Sequence, residues 1–521
     1  MKLGLPSLFT QNLTLSWLAI TLLVWWIGIA GRDLFLLPAL IFIGIYSYHL
    51  WKKQAFKIST KWINSPSGKR WLISLFLVHV LLYLAITLLK YYSFRWNVWD
   101  VGGFSNQLYN ISQGSFYSSY LGSHNWADHF SPSMSPLALL YLLTPSTHWV
   151  TVAKAVAYLS VPLLIFKICQ EAFQSKEQAW CATVILGVAW LLFYAPAINS
   201  FYYEFQSSAL APPFILYGFL NYQRKQWLRF WLSMIILLGF KEHLGSVWIG
   251  FGCYMVLVTT NKKTGLFLIA AGIVAIYLVM FQVMPYFRNY EESWSMPIGP
   301  FQDIPAKLLY IFKILIPLSF LPVLFWRTGI LAGPAIGVNL LSSNSSMYST
   351  SYHYDDLSAT LLVIAMILII SANLDKFKLW LKTKPTHWLT VVWMVCVFSL
   401  LPSSPMRELY AAIPNQSHWN IRKELIEFDE FSKGESIAVQ TALGPQFHRR
   451  YILAITQDVN GDCAPKQRDM SVPVSKYLVY AKSINHYLIY DFEKCLTKMD
   501  LSKDYEILSE YRHIKVYKKI N

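Results

Sequence analysis

An aspartate followed closely by two glycines, in Trp99-Asp100-Val101-Gly102-Gly103-Phe104, is the first grouping in this chain able to do chemistry. Glycines let a backbone fold tightly around a carboxylate, and a carboxylate so held can act as a general base or bind a metal ion. Asp also caps helices, and 104–112 reads as a helix directly after it, so both readings stand. The same segment runs on through Gln107 to Asp128-His129-Phe130-Ser131-Pro132. Neutral imidazole is a common metal ligand, which makes Asp100, Asp128 and His129 the candidate ligands for a divalent cation, the one cofactor these residues suggest. Farther along, Lys241-Glu242 sets an ammonium beside a carboxylate, and His353-Tyr354 lies in the polar stretch from Ser342 to Asp356. The ammonium can hold an anion, or it can simply reach toward polar surroundings along its own stem.

These groups stand between long apolar blocks. Of the 521 residues, 55% are apolar, 16% aromatic and only 14% charged, whereas ordinary soluble domains carry about 25% charged residues. The blocks run to about 17–22 residues, the length that crosses a hydrocarbon core of roughly 30 Å. The 21 Trp and 32 Tyr suit the membrane–water interface. The expected spans are 15–31, 34–50, 71–91, 146–168, 179–198, 208–222, 228–240, 244–260, 264–284, 308–326, 328–343, 357–373 and 388–402. The first is expected to be a retained helix: Lys2 is its only preceding basic residue, and Gly31-Arg32-Asp33 leads straight into a second apolar run. Lys154 and Lys313 are exceptions to an otherwise apolar set of span interiors.

The net charge of +16 is concentrated in short inter-span loops, such as Lys52 to Arg70, Arg224 to Arg229 and Lys376 to Lys384. That placement follows the positive-inside rule and argues against nucleic acid as a partner. It predicts a multi-pass protein of the plasma (inner) membrane with its N-terminus in the cytoplasm. Segments 92–145, 199–207, 241–243, 285–307, 344–356 and everything after 403 then share the outer side, and they hold most of the chemically useful residues. The tail from Pro405 is charged. Its β-like runs (436–440, 477–480, 514–517) and helical stretch 421–431 predict a small α/β domain. Cys463 and Cys495 are the only cysteines in that tail, and in an oxidising compartment they can pair or remain thiols. The fold class expected is therefore an all-α polytopic membrane bundle of about 13 transmembrane helices with a C-terminal α/β extracytoplasmic domain. Its divisions are 1–70 (two helices and a basic loop), 71–402 (membrane core) and 403–521 (outer domain).

The order Asp100, Gly102, Phe104, Gln107, His129, Ser131, Pro132 resembles the signature of a large prokaryotic family of multi-pass membrane proteins, here with the glycine doubled at Gly103. Glu204-Phe205, Lys241-Glu242, Asn339-Leu340-Leu341, His353-Tyr354, Leu443-Gly444-Pro445 and Arg449-Arg450 also fit. The likeness covers about 71–521. One departure is Glu204-Phe205-Gln206-Ser207, where the family has Asp-Phe-His-Pro; Gln does not titrate and seldom binds a metal. That family is in turn similar to the membrane-embedded C-type glycosyltransferases. The resemblance implies an inverting transfer from a polyprenyl-phosphate-linked sugar to a glycan, lipid or protein acceptor at the outer face. Asp100 and Glu204 would be the catalytic carboxylates, with Gln107, His129, Lys241, Glu242, His353 and Tyr354 binding substrate. A transporter or flippase, or a non-catalytic membrane scaffold, is the alternative.

Overall fold

The computed structural model describes residues 63–521 except 189, 191–193, 289–297, 378–404, 458–462, 468–469, 472–474, 482, 485–493, 496, 498–504, 509–510 and 521. The expected spans 15–31, 34–50 and 388–402 lie outside the described residues. Three described helices are long and apolar enough to cross a membrane unaided: Pro66–Tyr92, His148–Ala172 and Lys262–Tyr286. The other expected spans are shorter or interrupted. In the run expected at 179–198, the helix Lys176–Thr183 continues through a π-helical turn, Val184–Val188, and extended Tyr194 precedes a separate helix, Ala195–Tyr202. That at 308–326 stops at Leu315, where Pro317 and the left-handed residues Ser319 and Phe320 turn the chain. Among the described residues the bundle therefore combines a few long helices with several short or interrupted ones, and the count of about thirteen spans is not confirmed. Large apolar side chains such as Leu81, Leu163, Leu228, Leu266 and Ile273 face outward, as lipid contact requires.

Buried lysines hold the interrupted parts together. Lys154, one and a half turns into His148–Ala172, donates to the carbonyls of Ser200 (2.8 Å), Tyr203 (2.9 Å) and Glu204 (3.1 Å). Lys90 donates to Tyr202 O at 2.9 Å and pairs with Glu408 at 2.8 Å. Together they satisfy carbonyls at the C-terminal end of Ala195–Tyr202, which a helix leaves without internal partners, and they favour its negative dipole end. Lys154 thus caps a neighbouring helix and fixes the backbone of Glu204.

The C-terminal domain packs the helix Gln416–Phe431, capped by Asn415, onto a mixed sheet. The short hairpin of β1 (Tyr117–Ser118) and β2 (Ser123–His124) stands apart in the long loop. The sheet comprises β3 (Ile437–Gln440), β4 (Ile452–Gln457), β5 (Cys463–Gln467), β6 (Met470–Ser471), β7 (Tyr477–Ala481), β8 (Tyr505–Ile507) and β9 (Ile514–Lys519). Its order is β6-β5-β4-β3-β7-β9-β8, with β3 central and parallel to both neighbours. Ile421, Leu425 and Phe428 pack on Ile437, Val439, Val479 and Val516, and Phe94 and Val98 from the loop after the first described helix join the same core. Phe94 reaches it because its φ of 53° swings the chain around after Tyr92. Cys495 is disulfide-bonded, while the side chain of Cys463 lies outside the described residues.

Domain and bundle are joined without a gap. A 3-10 turn, Thr441–Phe447, lies on the turn Val98–Gly102. A Cβ on Gly444 would stand 2.5 Å from Val98 Cβ, and one on Gly102 would stand 3.2 Å from Pro445 N. Asn106 donates to His448 O (2.8 Å) and Arg450 O (3.0 Å), and Thr147 donates to Pro445 O (2.9 Å). Gly444→Ala should therefore separate the domain from the turn and destabilise the protein by about 1–3 kcal/mol, as overpacking does. Gly337→Ala, where a Cβ meets nothing within 4 Å, should be neutral or stabilising. Thermal unfolding in detergent, with protease sensitivity of the domain, separates the two variants.

Candidate active site

Asn97 organises the turn that carries Asp100. Its Oδ1 accepts from the backbone N–H of Trp99 (2.8 Å) and Asp100 (3.2 Å), so Asn97, not Asp100, caps the turn. Its backbone carbonyl accepts from Gly102 N at 3.0 Å, closing a π-helical turn that continues into Gly103–Ser112. Glu204 fixes Asn97 in turn, with Oε1 accepting from Nδ2 at 2.7 Å and Oε2 from the backbone N–H at 3.0 Å. The doubled glycine answers a need for space. Both residues have ordinary helical φ, −64° and −65°, but a Cβ on Gly103 would stand 2.7 Å from the Tyr120 ring, and Gly102 meets the C-terminal domain.

Asp100 opens onto a cavity of about 600 Å³ at the end of the bundle that bears the domain. Arg95, Asp128, His129, Glu204, Gln206, Lys241, His353 and Tyr354 line it too, with Thr441 and Ala442 supplied by the domain. Gln206 Nε2 donates to Asp100 Oδ1, and Tyr203 OH donates to Oδ2 at 3.3 Å. Gln206 Oε1 accepts from Lys241 Nζ at 3.2 Å. The Lys241 ammonium also lies 5.9 Å from the centre of the Tyr354 ring. Burial pushes the Asp100 and Glu204 carboxyls up; for Asp100 the Lys241 charge and the donated hydrogen bonds oppose that rise, and for Glu204 the neighbouring Asp100 adds to it. Burial lowers Lys241, against the pull of Glu242 and Asp100. His353 is 5% exposed, and among the described residues neither ring nitrogen has a hydrogen-bond partner; burial and the nearby Lys241 charge hold it well below the usual imidazole range, hence neutral. Its ring packs against Tyr354 (4.1 Å between centres) and Tyr203 (5.0 Å).

Five groups separated widely in sequence, Asp100, His129, Glu204, Lys241 and His353, therefore meet in one cavity, together with Tyr354. Glu242 stands behind it: its Oε1 is 3.1 Å from His129 Nδ1. Burial alone would raise the Glu242 carboxyl, but His129 and Lys241 hold it down to about 2. Gln107 does not line the cavity; it lies behind Tyr120, which does, and donates to its OH at 3.2 Å. Glu204 keeps both oxygens on Asn97 and so positions the turn. The donor set Asp100, Asp128 and His129 does not fit a metal ion. Among the described residues no three His, Cys, Asp or Glu side chains are placed to hold one. The Asp100 oxygens are engaged by Gln206 and Tyr203, and His129 faces Glu242 and, at 3.8 Å, Asp128.

Sequence reasoning missed the supports: Asn97, Tyr203, Thr441 and the buried pair Asp355-Asp356. Asp356 accepts from Tyr158 and from Ser208 (3.1 Å). Asp355 accepts from Tyr310 (2.6 Å) and Ser358 (2.9 Å). Asn339, singled out in the sequence only as part of Asn-Leu-Leu, donates to Tyr310 OH (2.9 Å) and Tyr354 O (3.1 Å) and so fixes the loop bearing His353. Two adjacent acids at the start of an apolar helix were the available signal. Burial pushes the Asp355 carboxyl up to about 7. The folded protein then keeps that proton up to about pH 7, while the unfolded chain releases it near pH 4, at roughly 3.9. Between those values the folded state binds more protons, so stability falls as pH rises, by at most about 1.4 kcal/mol per pH unit. Asp355→Asn should match the wild type near pH 4 and exceed its stability at pH 8; equal unfolding midpoints at pH 8 would contradict this assignment.

No curated protein matches the chain. Among solved structures, ArnT from Cupriavidus metallidurans bound to undecaprenyl phosphate superposes with a TM-score of 0.51 at 11% identity, over 88% of this chain and 99% of that one. ArnT in the apo state gives 0.51 at 11% identity, over 85% and 98%. The Archaeoglobus fulgidus oligosaccharyltransferase in the apo form gives 0.39 at 11% identity, over 80% and 70%. The ArnT likeness shows the fold, that of membrane-embedded C-type glycosyltransferases. The family described as predicted membrane protein (DUF2079) matches residues 90–479. With that match spanning most of its length, the chain is a member of the DUF2079 family of predicted membrane proteins.

Proposed function

We propose that this protein is an inverting glycosyltransferase that uses a polyprenyl-phosphate-linked sugar at the outer face of the plasma membrane. The observation that carries the reading is the cavity itself. The Asp100 carboxylate, the Lys241 ammonium, whose hydrogen bond among the described residues goes to Gln206, and the His353 imidazole, which has no hydrogen-bond partner among them, share it. Buried polar groups left without partners are expensive, and an anionic ligand satisfies Lys241 and His353 together. The fold shared with ArnT, which has been crystallised with undecaprenyl phosphate, makes a polyprenyl phosphate the natural candidate.

In the reaction, Asp100 takes the proton of an acceptor hydroxyl as that oxygen attacks the anomeric carbon from the face opposite the phosphate. The new glycosidic bond forms as the bond from the anomeric carbon to the phosphate oxygen breaks, and the configuration inverts. The electron pair leaves with the lipid phosphate, whose charge meets the Lys241 ammonium and a donated N–H of His353. Glu204 acts through Asn97 to hold the turn. A positioned base contributes about 10²–10⁴-fold, and one lost donor at a developing charge costs about 10²–10³-fold.

Asp100→Asn should insert and fold normally yet fail to restore the surface glycan of a strain lacking the wild-type gene, whereas a glycan identical to wild type would refute the assignment of the base. Lys241→Met should weaken binding of undecaprenyl phosphate to purified protein. The outer-face placement has its own check. A cysteine introduced at exposed Ser115 should react with an impermeant thiol reagent added outside intact cells; protection there, with labelling only after lysis, would reverse the topology and remove the proposal.

A further inference from the structure

Gln206 stands where the family signature has His, and its surroundings give that substitution a purpose. Its side chain is 5% exposed, and its two ends meet opposite charges: Nε2 donates to Asp100 Oδ1, and Oε1 accepts from Lys241 Nζ at 3.2 Å. Reversing the carboxamide would turn its oxygen toward a carboxylate and its NH₂ toward an ammonium, both repulsive, so the charges select one orientation. We propose that Gln206 is a positioning residue that joins Asp100 to Lys241 through its carboxamide, keeping the carboxylate and the ammonium apart and each facing the cavity; the inference rests on the catalytic reading above.

The chemistry of the alternatives explains why an amide suits this place. Direct contact between Asp100 and Lys241 would form an ion pair that occupies the oxygen an acceptor proton must reach and the N–H groups a phosphate must reach. Glutamate would set a second negative charge against Asp100. Histidine takes up a proton near neutral pH and would then oppose Lys241. The amide does neither, and it carries both a donor and an acceptor at all working pH values. The surrounding charges are fixed by other partners: Glu204 by Asn97, Lys154 by three carbonyls and Asp356 by Tyr158 and Ser208. The Gln206 bridge is therefore the hydrogen-bonded route by which an anion drawn to Lys241 is felt at Asp100.

Infrared difference spectroscopy of the purified full chain tests this, with the Asp100 carboxylate band identified by its loss in Asp100→Asn. Gln206→Met should shift that band in the lipid-free protein. Undecaprenyl phosphate at saturating concentration should shift it in the wild type and leave it unmoved in Gln206→Met. An Asp100 band identical in wild type and Gln206→Met would overturn the inference. Should Gln206→Met fail to fold, the isosteric Gln206→Glu gives the same reading, since a carboxylate beside Asp100 must move the band; an unmoved band again overturns it. If the wild type does not bind undecaprenyl phosphate, the catalytic reading falls, and the lipid-free comparison still decides the role of Gln206.

Discussion

Close contact between two turns, Val98–Gly102 in the bundle and Thr441–Phe447 in the C-terminal domain, is the constraint on which the site depends. Val98 and Phe94 belong to the domain's hydrophobic core, so the peptide carrying Asp100 is fixed by the packing of a domain hundreds of residues later in the chain. Interiors are packed as densely as organic crystals and do not deform smoothly. A backbone held on one side by Gly444 and on the other by Tyr120 has little room to move. The domain thereby forms part of the cavity wall, through Thr441 and Ala442, and also sets the direction of the carboxylate.

A second consequence follows from low polarity. Charges taken out of water are tolerated when each has compensating partners. Lys90 and Lys154 satisfy a helix end, Glu204 satisfies Asn97, and Asp355 and Asp356 are met by tyrosine and serine hydroxyls. These groups form a fixed frame. Lys241 and His353 differ from these: among the described residues, one has a single hydrogen bond, to Gln206, and an aromatic face, and the other has ring packing alone. Bonding to carbonyls of a helix end places Lys90 and Lys154 in the support and not in the site. It also accounts for a lysine within a span without invoking a transport pathway.

Much of the site was legible in the sequence because it falls in a few polar segments between apolar blocks. Period and composition fix which segments lie near a bilayer surface, and the alternation of sides then groups the loops bearing Asp100, His129, Glu204, Lys241 and His353. The helix after Asp100 and the strands at 437–440, 477–481 and 514–519 could likewise be read from local pattern. The reading of roles was weaker. The glycines after Asp100 suggested backbone freedom, while their φ values are ordinary and the need is space. Asp100 and His129 suggested a metal, while their neighbours turn out to be an amide and a second acid.

The sequence by itself determined that the chain is a membrane protein, that its charged C-terminal segment forms a small sheet domain and which residue types are available for chemistry, because hydropathy and charge act locally along a chain. Tertiary structure alone decided that Glu204 supports the turn through Asn97, and that Gln206 lies between a carboxylate and an ammonium. Those assignments depend on distances of a few ångströms between residues about 35 to 110 positions apart. Pairing at that range is set by how helices pack, and no local pattern encodes it.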